Sequence, residues 1–175
     1  KKLDEDCFDE VVIGEDTYAF ANKHQRFYER MAARFPKERE GLKKYVTFLK
    51  EVGDHIFGVF KGDEHKRYTY SLLSRSAYEF LNETIKDPLL RKVLSGTSLK
   101  MELNAPTLPL YTFAQINDSF IRSAWRLRGG GSQIADKLVE GILSMGGEVK
   151  THAAVTYIKE ENGKVVGITV NDEDY

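Results

Sequence analysis

The chain has 175 residues, of which 41% are hydrophobic and 30% are charged, and a chain of this length can bury about 70% of its unfolded surface, enough for one ordinary core. Its 26 Lys and Arg residues nearly balance its 27 Asp and Glu residues, so no net electrostatic field favours a polyanion, and we expect no nucleic-acid partner. The single cysteine, Cys7, excludes an internal disulfide scaffold, and the apolar runs are far shorter than the roughly 20 residues of a membrane-spanning helix, so we expect a cytoplasmic protein.

The N-terminal part predicts a β-hairpin followed by a helix. Residues 8–13 and 17–20 flank a short connection that begins with Gly14, and a glycine there can take the positive φ of a tight turn. Asn22 is the candidate N-cap of a helix over residues 23–35, where aromatic and Met side chains recur every four positions. Pro36 ends this helix and can open the next one.

The strongest periodic signal in the chain is a long helix after Pro36. Gly53 lowers helix stability within it, so we expect a bend or a close neighbour at that position. Gly62 and the two acidic residues after it break the pattern. The apolar residues of this helix recur at three- and four-residue steps and are Leu42, Tyr45, Val46, Leu49, Val52, Ile56, Phe57 and Phe60.

Three further helices are predicted in the middle of the chain. One covers residues 71–85, and a short one is capped by Asp87, opened by Pro88 and continues to Leu94. Residues 104–109 contain two prolines and are expected to be irregular. The third helix carries a set of mainly aromatic side chains, which are Tyr111, Phe113, Ile116, Phe120, Ile121 and Trp125.

The last third of the chain changes from helices to strands. A triple glycine at 129–131 forms a flexible bend, and Ser132 is the candidate N-cap of a helix that a glycine pair at 146–147 closes. We predict strands at 148–152, 155–160 and 165–170, the last two joined by a tight turn at Asn162-Gly163. The predicted fold class is therefore α+β, with a mostly helical middle flanked by antiparallel β-hairpins.

The surroundings of the triple glycine raise the question of a bound anion. Bare amides at the start of a helix can hold a phosphate, but Ile134 stands where a dinucleotide-binding loop requires its third glycine. A hinge and a ligand-facing loop are therefore equal alternatives for these glycines. Arg122, Arg126 and Arg128 lie nearby and can neutralise a phosphate or carboxylate, although such charges are more often simply solvated.

No catalytic group can be assigned from residue spacing. The four histidines, His24, His55, His65 and His152, lack the spacing of a helical metal pair, so no metal site is predicted. No serine lies in a hydrolase motif. An aromatic-rich chain without an obvious nucleophile suits a domain that shapes an apolar cavity while a cofactor bound elsewhere carries the chemistry.

Several motifs, taken in chain order, resemble those of one enzyme family. The most specific are RGGGSQIADKL at 128–138, GGEV at 146–149, VTYI at 155–158 and GKVVGI at 163–168. Upstream, FDEVVI at 8–13, FPKE at 35–38 and DPLL at 87–90 are also similar. This order of glycine loop, helix and strands resembles the phytoene desaturase and retinol saturase family of FAD-dependent oxidoreductases.

The resemblance implies that the chain is a segment excised from a two-domain, glutathione-reductase-like flavoprotein, which agrees with its start at Lys1. Residues 1–128 would be the mostly helical substrate domain, and residues 129–175 would return to an FAD-binding domain that lies mainly outside the segment. Backbone groups at Val155 would meet the adenine of FAD. Arg128 and the loop of Gly129, Gly130 and Gly131 would face the flavin or the substrate. The isolated segment is expected to be inactive, and NAD(P) is a candidate electron donor for the parent enzyme.

The implied reaction is the saturation or desaturation of carbon-carbon bonds in an apolar polyene, such as a retinoid or carotenoid. Such a substrate needs an apolar tunnel, because hydride exchange is the chemistry of the cofactor. Peripheral membrane contact of the parent enzyme is a further expectation. The expected wall residues, for each of which ordinary core packing is the alternative, are Phe57, Phe60, Tyr111, Phe113, Phe120 and Trp125.

Two other interpretations stay open at this point. The chain is either a domain of an amine-oxidase-like flavoenzyme, which shares this arrangement of domains, or a non-catalytic α+β module that binds a hydrophobic ligand or a protein partner. The sequence does not indicate an oligomeric state.

Overall fold

In a computed structural model, which describes residues 1–57, 62–101 and 107–175, the chain forms two compact units, Lys1–Arg126 and Leu127–Tyr175. The described residues contain seven α-helices and two small antiparallel sheets. The α+β class predicted from the sequence is therefore confirmed.

The first unit begins with the predicted hairpin. Strands β1 (Asp9–Ile13) and β2 (Asp16–Phe20) pair in antiparallel register from Asp9 opposite Phe20 to Ile13 opposite Asp16. Gly14 takes a φ of 63° in the two-residue turn between them. This is the left-handed conformation that the turn requires and that glycine adopts without strain.

Helix α1 (His24–Arg34) confirms the predicted helix but corrects its cap. Lys23, with a φ of 71°, is the N-cap residue, and no side chain caps the helix. The prediction that Asn22 is the cap is wrong. Its buried side chain instead donates a hydrogen bond from Nδ2 to the carbonyl oxygen of Phe120, 2.7 Å away, so a long-range partner replaces the local one.

Helix α2 (Arg39–Phe57) follows a short 3-10 turn at Pro36–Glu38 and packs against α1 and against two helices that come later in the chain. Its predicted apolar stripe is buried at Leu42, Tyr45, Val46, Leu49 and Val52. This stripe forms the centre of the hydrophobic core of the first unit, in agreement with the periodicity of the sequence.

The next segment departs from the prediction. Helix α3 (Gly62–Leu73) begins where the sequence indicated only a break, and it lacks an apolar stripe because Leu72 is its single buried residue in the described chain. The helix predicted over residues 71–85 is divided, since α4 (Ala77–Thr84) starts anew after Ser76. The Ser76 hydroxyl accepts a hydrogen bond from the amide of Tyr78 at 3.1 Å, as an N-cap does.

The rest of the first unit contains α5 (Pro88–Leu94), a 3-10 turn at Gly96–Lys100 and α6 (Leu110–Arg122). The predicted cap of α5 is confirmed, because the Asp87 carboxylate accepts hydrogen bonds from the amides of Leu89 and Leu90. Part of the irregular segment predicted at 104–109 lies outside the described residues. Helix α6 ends before Trp125, which forms an isolated β-bridge with Lys2 instead of lying on the helix as predicted.

The second unit consists of α7 (Ser132–Ser144) and a three-stranded sheet of β3 (Val155–Glu161), β4 (Lys164–Val170) and β5 (Glu173–Asp174). Asn162 and Gly163 both have positive φ in the predicted tight turn. The N-cap of α7 is Gly131 rather than Ser132, and the strand predicted at 148–152 does not form. Val170 is the only buried apolar side chain in this unit, all of whose residues are described.

Candidate functional site

The glycine loop before α7 is shaped by one side chain at the start of that helix. Gly129 and Gly130 have φ values of 83° and 97°, which other residues adopt only with strain. The Gln133 amide group donates hydrogen bonds to the carbonyl oxygens of Arg128 and Gly130, the latter at 2.9 Å. The loop is therefore an ordered, exposed turn with little side-chain bulk, which allows a ligand to approach its backbone closely.

Val155 is the first residue of β3, and its side chain is 54% exposed. The strand has an irregularity immediately after it, because Thr156 is an extra residue between the Val155–Val170 and Tyr157–Thr169 pairs. Such a bulge interrupts the ladder of backbone hydrogen bonds. The position thus combines an exposed apolar side chain with an interrupted strand backbone, which suits contact with the face and edge of a planar ring.

The residues predicted to line a substrate wall differ widely in burial. Phe113 is completely buried in the core, and Phe120 stacks on Phe8 with their ring centroids 6.3 Å apart. Tyr111 is partly buried and packs against the core. Trp125 is 65% exposed. Phe57 is the last residue of α2, and Phe60 lies outside the described residues, so the wall as a whole stays a prediction.

A connected series of aromatic rings runs through the core of the first unit, and the sequence did not single it out. Phe20, Phe27, Tyr45, Phe80 and Phe48 contact one another in turn, with neighbouring centroids 4.5 to 6.3 Å apart. Burial raises the pKa of the Tyr45 hydroxyl far above its ordinary value. Periodic spacing in the sequence indicates that such side chains are buried. Their mutual contacts, however, depend on the packing of four different elements.

The one strongly buried carboxylate among the described aspartates, Asp118 on α6, lies at the centre of an ionic network. Its side chain is 1% exposed, its Oδ1 is 2.6 Å from Nε2 of His24, and its Oδ2 accepts a hydrogen bond from Nε of Arg122 at 2.5 Å. Arg122 also reaches Oδ1 of Asp54 at 2.7 Å. Arg122 is thus held by two carboxylates of this chain, and the interpretation that it serves a bound anion loses its main support.

The network extends to the surface on α2. Hydrogen bonds from Lys50 and Arg122 lower the pKa of the Asp54 carboxyl to about 2. Gly53, one residue before Asp54, provides the space for Asp118, because a Cβ atom at position 53 would lie 1.7 Å from Oδ2 of Asp118. The close neighbour expected at Gly53 from the sequence is therefore this buried carboxylate.

The structure also brings together two histidines that are scattered in the sequence. The rings of His55 on α2 and His65 on α3 stack with centroids 3.9 Å apart, next to the ring of Tyr68. Burial, together with the nearby His55, lowers the pKa of His65. In the part of the chain that the structure describes, no cluster of three or more His, Cys, Asp or Glu side chains is arranged to hold a metal ion. None of the described helices combines the length and the apolar character that crossing a lipid bilayer requires.

Comparison with known proteins gives two informative similarities. No protein-family model matches the chain. All-trans-retinol 13,14-reductase of Danio rerio is 28% identical over an aligned length of 190 residues. The alignment covers 95% of this chain and 31% of that protein. Prolycopene isomerase, chloroplastic, of Daucus carota is 25% identical over 163 residues, which cover 83% of this chain and 26% of that protein. The chain therefore spans about a third or less of the length of these relatives, and both support the resemblance to the phytoene desaturase and retinol saturase family.

Proposed function

We propose that this chain is the substrate-covering part of an FAD-dependent oxidoreductase that saturates or desaturates carbon-carbon bonds in an apolar polyene, with residues 1–128 covering the substrate and residues 129–175 returning to the cofactor domain. The observation that carries the proposal is the similarity to a reductase of all-trans-retinol along 95% of the chain. The second relative is named for isomerising prolycopene. Both names denote conjugated polyenes, so the proposed substrate class is a retinoid or carotenoid.

The second unit has features that fit a contact with FAD. The exposed Val155 side chain offers an apolar surface to the adenine ring, and the bulge at Thr156 leaves backbone groups near it outside the regular pairing. The loop of Gly129 and Gly130 offers backbone without side chains, and Arg128 adds a positive charge beside it. In this proposal FAD, when bound, supplies hydride transfer, and the residues of the chain bind and orient the cofactor.

The apolar surface of α7 supports the same assignment. Ile134 and Leu138 on this helix, and Met145 directly after it, are exposed along one stripe. An apolar stripe of this kind is normally covered by a packed neighbour. We assign the cover to the cofactor domain of the parent enzyme.

On the substrate side, the exposed members of the predicted wall carry the proposal. Trp125 is largely exposed, Tyr111 and Phe120 are partly exposed, and Phe113 has no accessible surface. Trp125, Tyr111 and Phe120 are therefore the residues that we propose to contact the polyene. These three side chains present apolar area and ring faces to the substrate. Such a surface excludes water from a hydride transfer.

A spectroscopic experiment on the complete gene product tests the cofactor assignment. We expect the protein to purify yellow and to bleach on reduction. Val155→Asp should lower the flavin content about tenfold, because it places a charge where an apolar ring face should bind. Val166→Asp is the matched control, since Val166 on β4 is 55% exposed and is assigned no contact. Absence of flavin from the wild-type protein, or equal flavin loss in both variants, argues against the proposal.

Product analysis tests the reaction. The flavin-loaded protein is incubated with all-trans-retinol or with a carotenoid. One set of incubations contains dithionite or NADPH as the reductant, and a separate set contains a quinone or oxygen as the electron acceptor. A product two hydrogens heavier than its substrate indicates saturation, one two hydrogens lighter indicates desaturation, and an isomer of unchanged mass supports the reaction named for the second relative. If no polyene is converted and no flavin is bound, a non-catalytic ligand-binding module becomes the better explanation.

A further inference from the structure

A cleft between α1 and α2 in the first unit has no role in the proposed flavin chemistry. It has a volume of about 380 Å³ and opens to the surface. The side chains that line it come from the first half of each helix and are mostly polar: His24, Gln25, Tyr28, Lys43, Val46 and Thr47.

The cleft gathers polar groups that have no partner elsewhere in the described chain. Nζ of Lys43 forms no ion pair with the described residues, and the hydroxyls of Tyr28 and Thr47 form no hydrogen bond with them. Gln25 already has a partner, because its amide group donates a hydrogen bond to the Glu29 carboxylate at 2.7 Å. One ammonium group and two hydroxyl groups are therefore free to donate to a ligand.

His24 lines one side of the cleft, and its ring is fixed by a buried partner. Its Nε2 is 2.6 Å from the buried Asp118 carboxylate, which also accepts a hydrogen bond from Arg122 and can therefore only accept from the imidazole. This leaves Nδ1 of His24 as the ring nitrogen without a partner among the described residues.

We propose that this cleft is a binding site for an oxyanion, either a phosphate or a carboxylate group. Lys43 supplies the positive charge, and Tyr28 and Thr47 supply hydroxyl donors. Asp118, which is itself held by Arg122, fixes the His24 ring at the side of the cleft. The volume accommodates a phosphate with a few atoms of the molecule that carries it, and the same chemistry serves a free phosphate and the head group of an anionic lipid.

Titration calorimetry of the full chain with inorganic phosphate, at constant ionic strength and with chloride as the reference anion, tests the site. Lys43→Gln should weaken binding about tenfold, the magnitude expected for one charge-assisted hydrogen bond. Tyr28→Phe should weaken it about threefold. Lys44→Gln is the matched control, because Lys44 is an exposed neighbour on α2 that does not line the cleft, and it should bind phosphate like the wild type.

Sedimentation with vesicles of phosphatidylcholine, with and without phosphatidic acid, distinguishes the two sources of the anion. Binding that needs phosphatidic acid and Lys43, without affinity for free phosphate, assigns the site to a lipid head group. Equal phosphate binding by Lys43→Gln and wild type, or no binding of either probe, overturns the proposal. Near-UV circular dichroism checks that each variant keeps the fold. None of these measurements depends on flavin or on turnover, so the result is independent of the proposed function.

Discussion

Gly53 is the residue of α2 against which the Asp118 carboxylate of α6 packs. A Cβ atom there would lie 2.4 Å from Cγ of Asp118 as well as 1.7 Å from its Oδ2. Asp118 cannot move aside freely, because His24 and Arg122 hold its two oxygens. A buried carboxylate that loses its partners is strongly destabilising.

We expect Gly53→Ala to lower the free energy of unfolding by about 3 kcal/mol, since the clash displaces a buried ion pair and outweighs the gain of at most about 1 kcal/mol from the better helix propensity of alanine. Urea denaturation measures the change. Gly141→Ala on α7 is the control, because a Cβ atom there has no neighbour within 4 Å. A variant Gly53→Ala as stable as the wild type would contradict the close packing of Asp118.

The lowered pKa of Asp54, which belongs to the same ionic network as Asp118 and Arg122, predicts that the stability of the fold depends on pH. Its value is lowered from an ordinary 3.8 to about 2 by hydrogen bonds from Lys50 and Arg122. The unfolded chain therefore binds a proton on this group more readily than the folded chain does. The stability that Asp54 contributes is present above a pH of about 4 and is lost as the pH falls toward about 2.

Asp54→Asn should thus reduce stability at neutral pH, and the difference from the wild type should shrink to nothing between pH values of about 4 and about 2. Urea midpoints measured across this range provide the test. Asp54 is exposed, so salt at about 1 M should also shrink the difference, because screening then acts within about 3 Å. A difference that stays constant down to the lowest pH speaks against the assigned pKa.

At the scale of elements, the start of α5 depends on one local side chain. The Asp87 carboxylate accepts hydrogen bonds from the amides of Leu89, at 2.8 Å, and Leu90, at 3.3 Å. Asp87→Ala should lower the free energy of unfolding by about 1 kcal/mol, the usual value for loss of an N-cap. Asp87→Asn keeps the acceptor and should be nearly neutral. Thermal unfolding of both variants tests the cap, which fails as an explanation if they lose equal stability.

The elements that the sequence predicted well share this local character. The hairpin turns at Gly14 and Asn162-Gly163, the cap at Asp87 and the stripe of α2 all depend on residues at most a few positions apart. The division between α3 and α4 does not depend on such local residues. The amide of Ala77 donates to the carbonyl of Leu108, and the amide of Leu110 donates to the carbonyl of Arg75, so a distant segment interrupts what its periodicity alone predicts as one helix.

At the scale of the whole chain, the two units differ in what holds them together. Every buried apolar side chain of the described residues except Val170 lies within Lys1–Arg126. We expect residues 1–126, expressed alone, to unfold in one cooperative transition, because they contain the whole hydrophobic core. Residues 127–175 alone should remain largely unfolded, because they bury too little apolar surface to offset the loss of conformational entropy.

Circular dichroism during heating distinguishes the two pieces. The first should show near-ultraviolet signals that disappear over a narrow temperature range. A sharp transition in the second piece would show that a helix and a three-stranded sheet suffice for stability, contrary to this expectation.

The candidate sites show the same division between local and long-range information. The sequence alone placed Val155 on a strand and the triple glycine before a helix, because alternation, turn residues and glycine positions act over short distances. It could not show that Val155 is exposed next to a bulge. Nor could it show that Trp125 pairs with Lys2, which lies at the other end of the sequence of the first unit.

The sequence by itself determined the α+β class, most helix and strand positions and the family resemblance, since each of these is written in short-range patterns of side-chain type. Only the tertiary structure decided that Asp118 lies against Gly53 and His24, and that a polar cleft opens beside His24. The physical reason is that a buried charge must find its partners wherever the packed elements place them, and those partners are far apart along the chain.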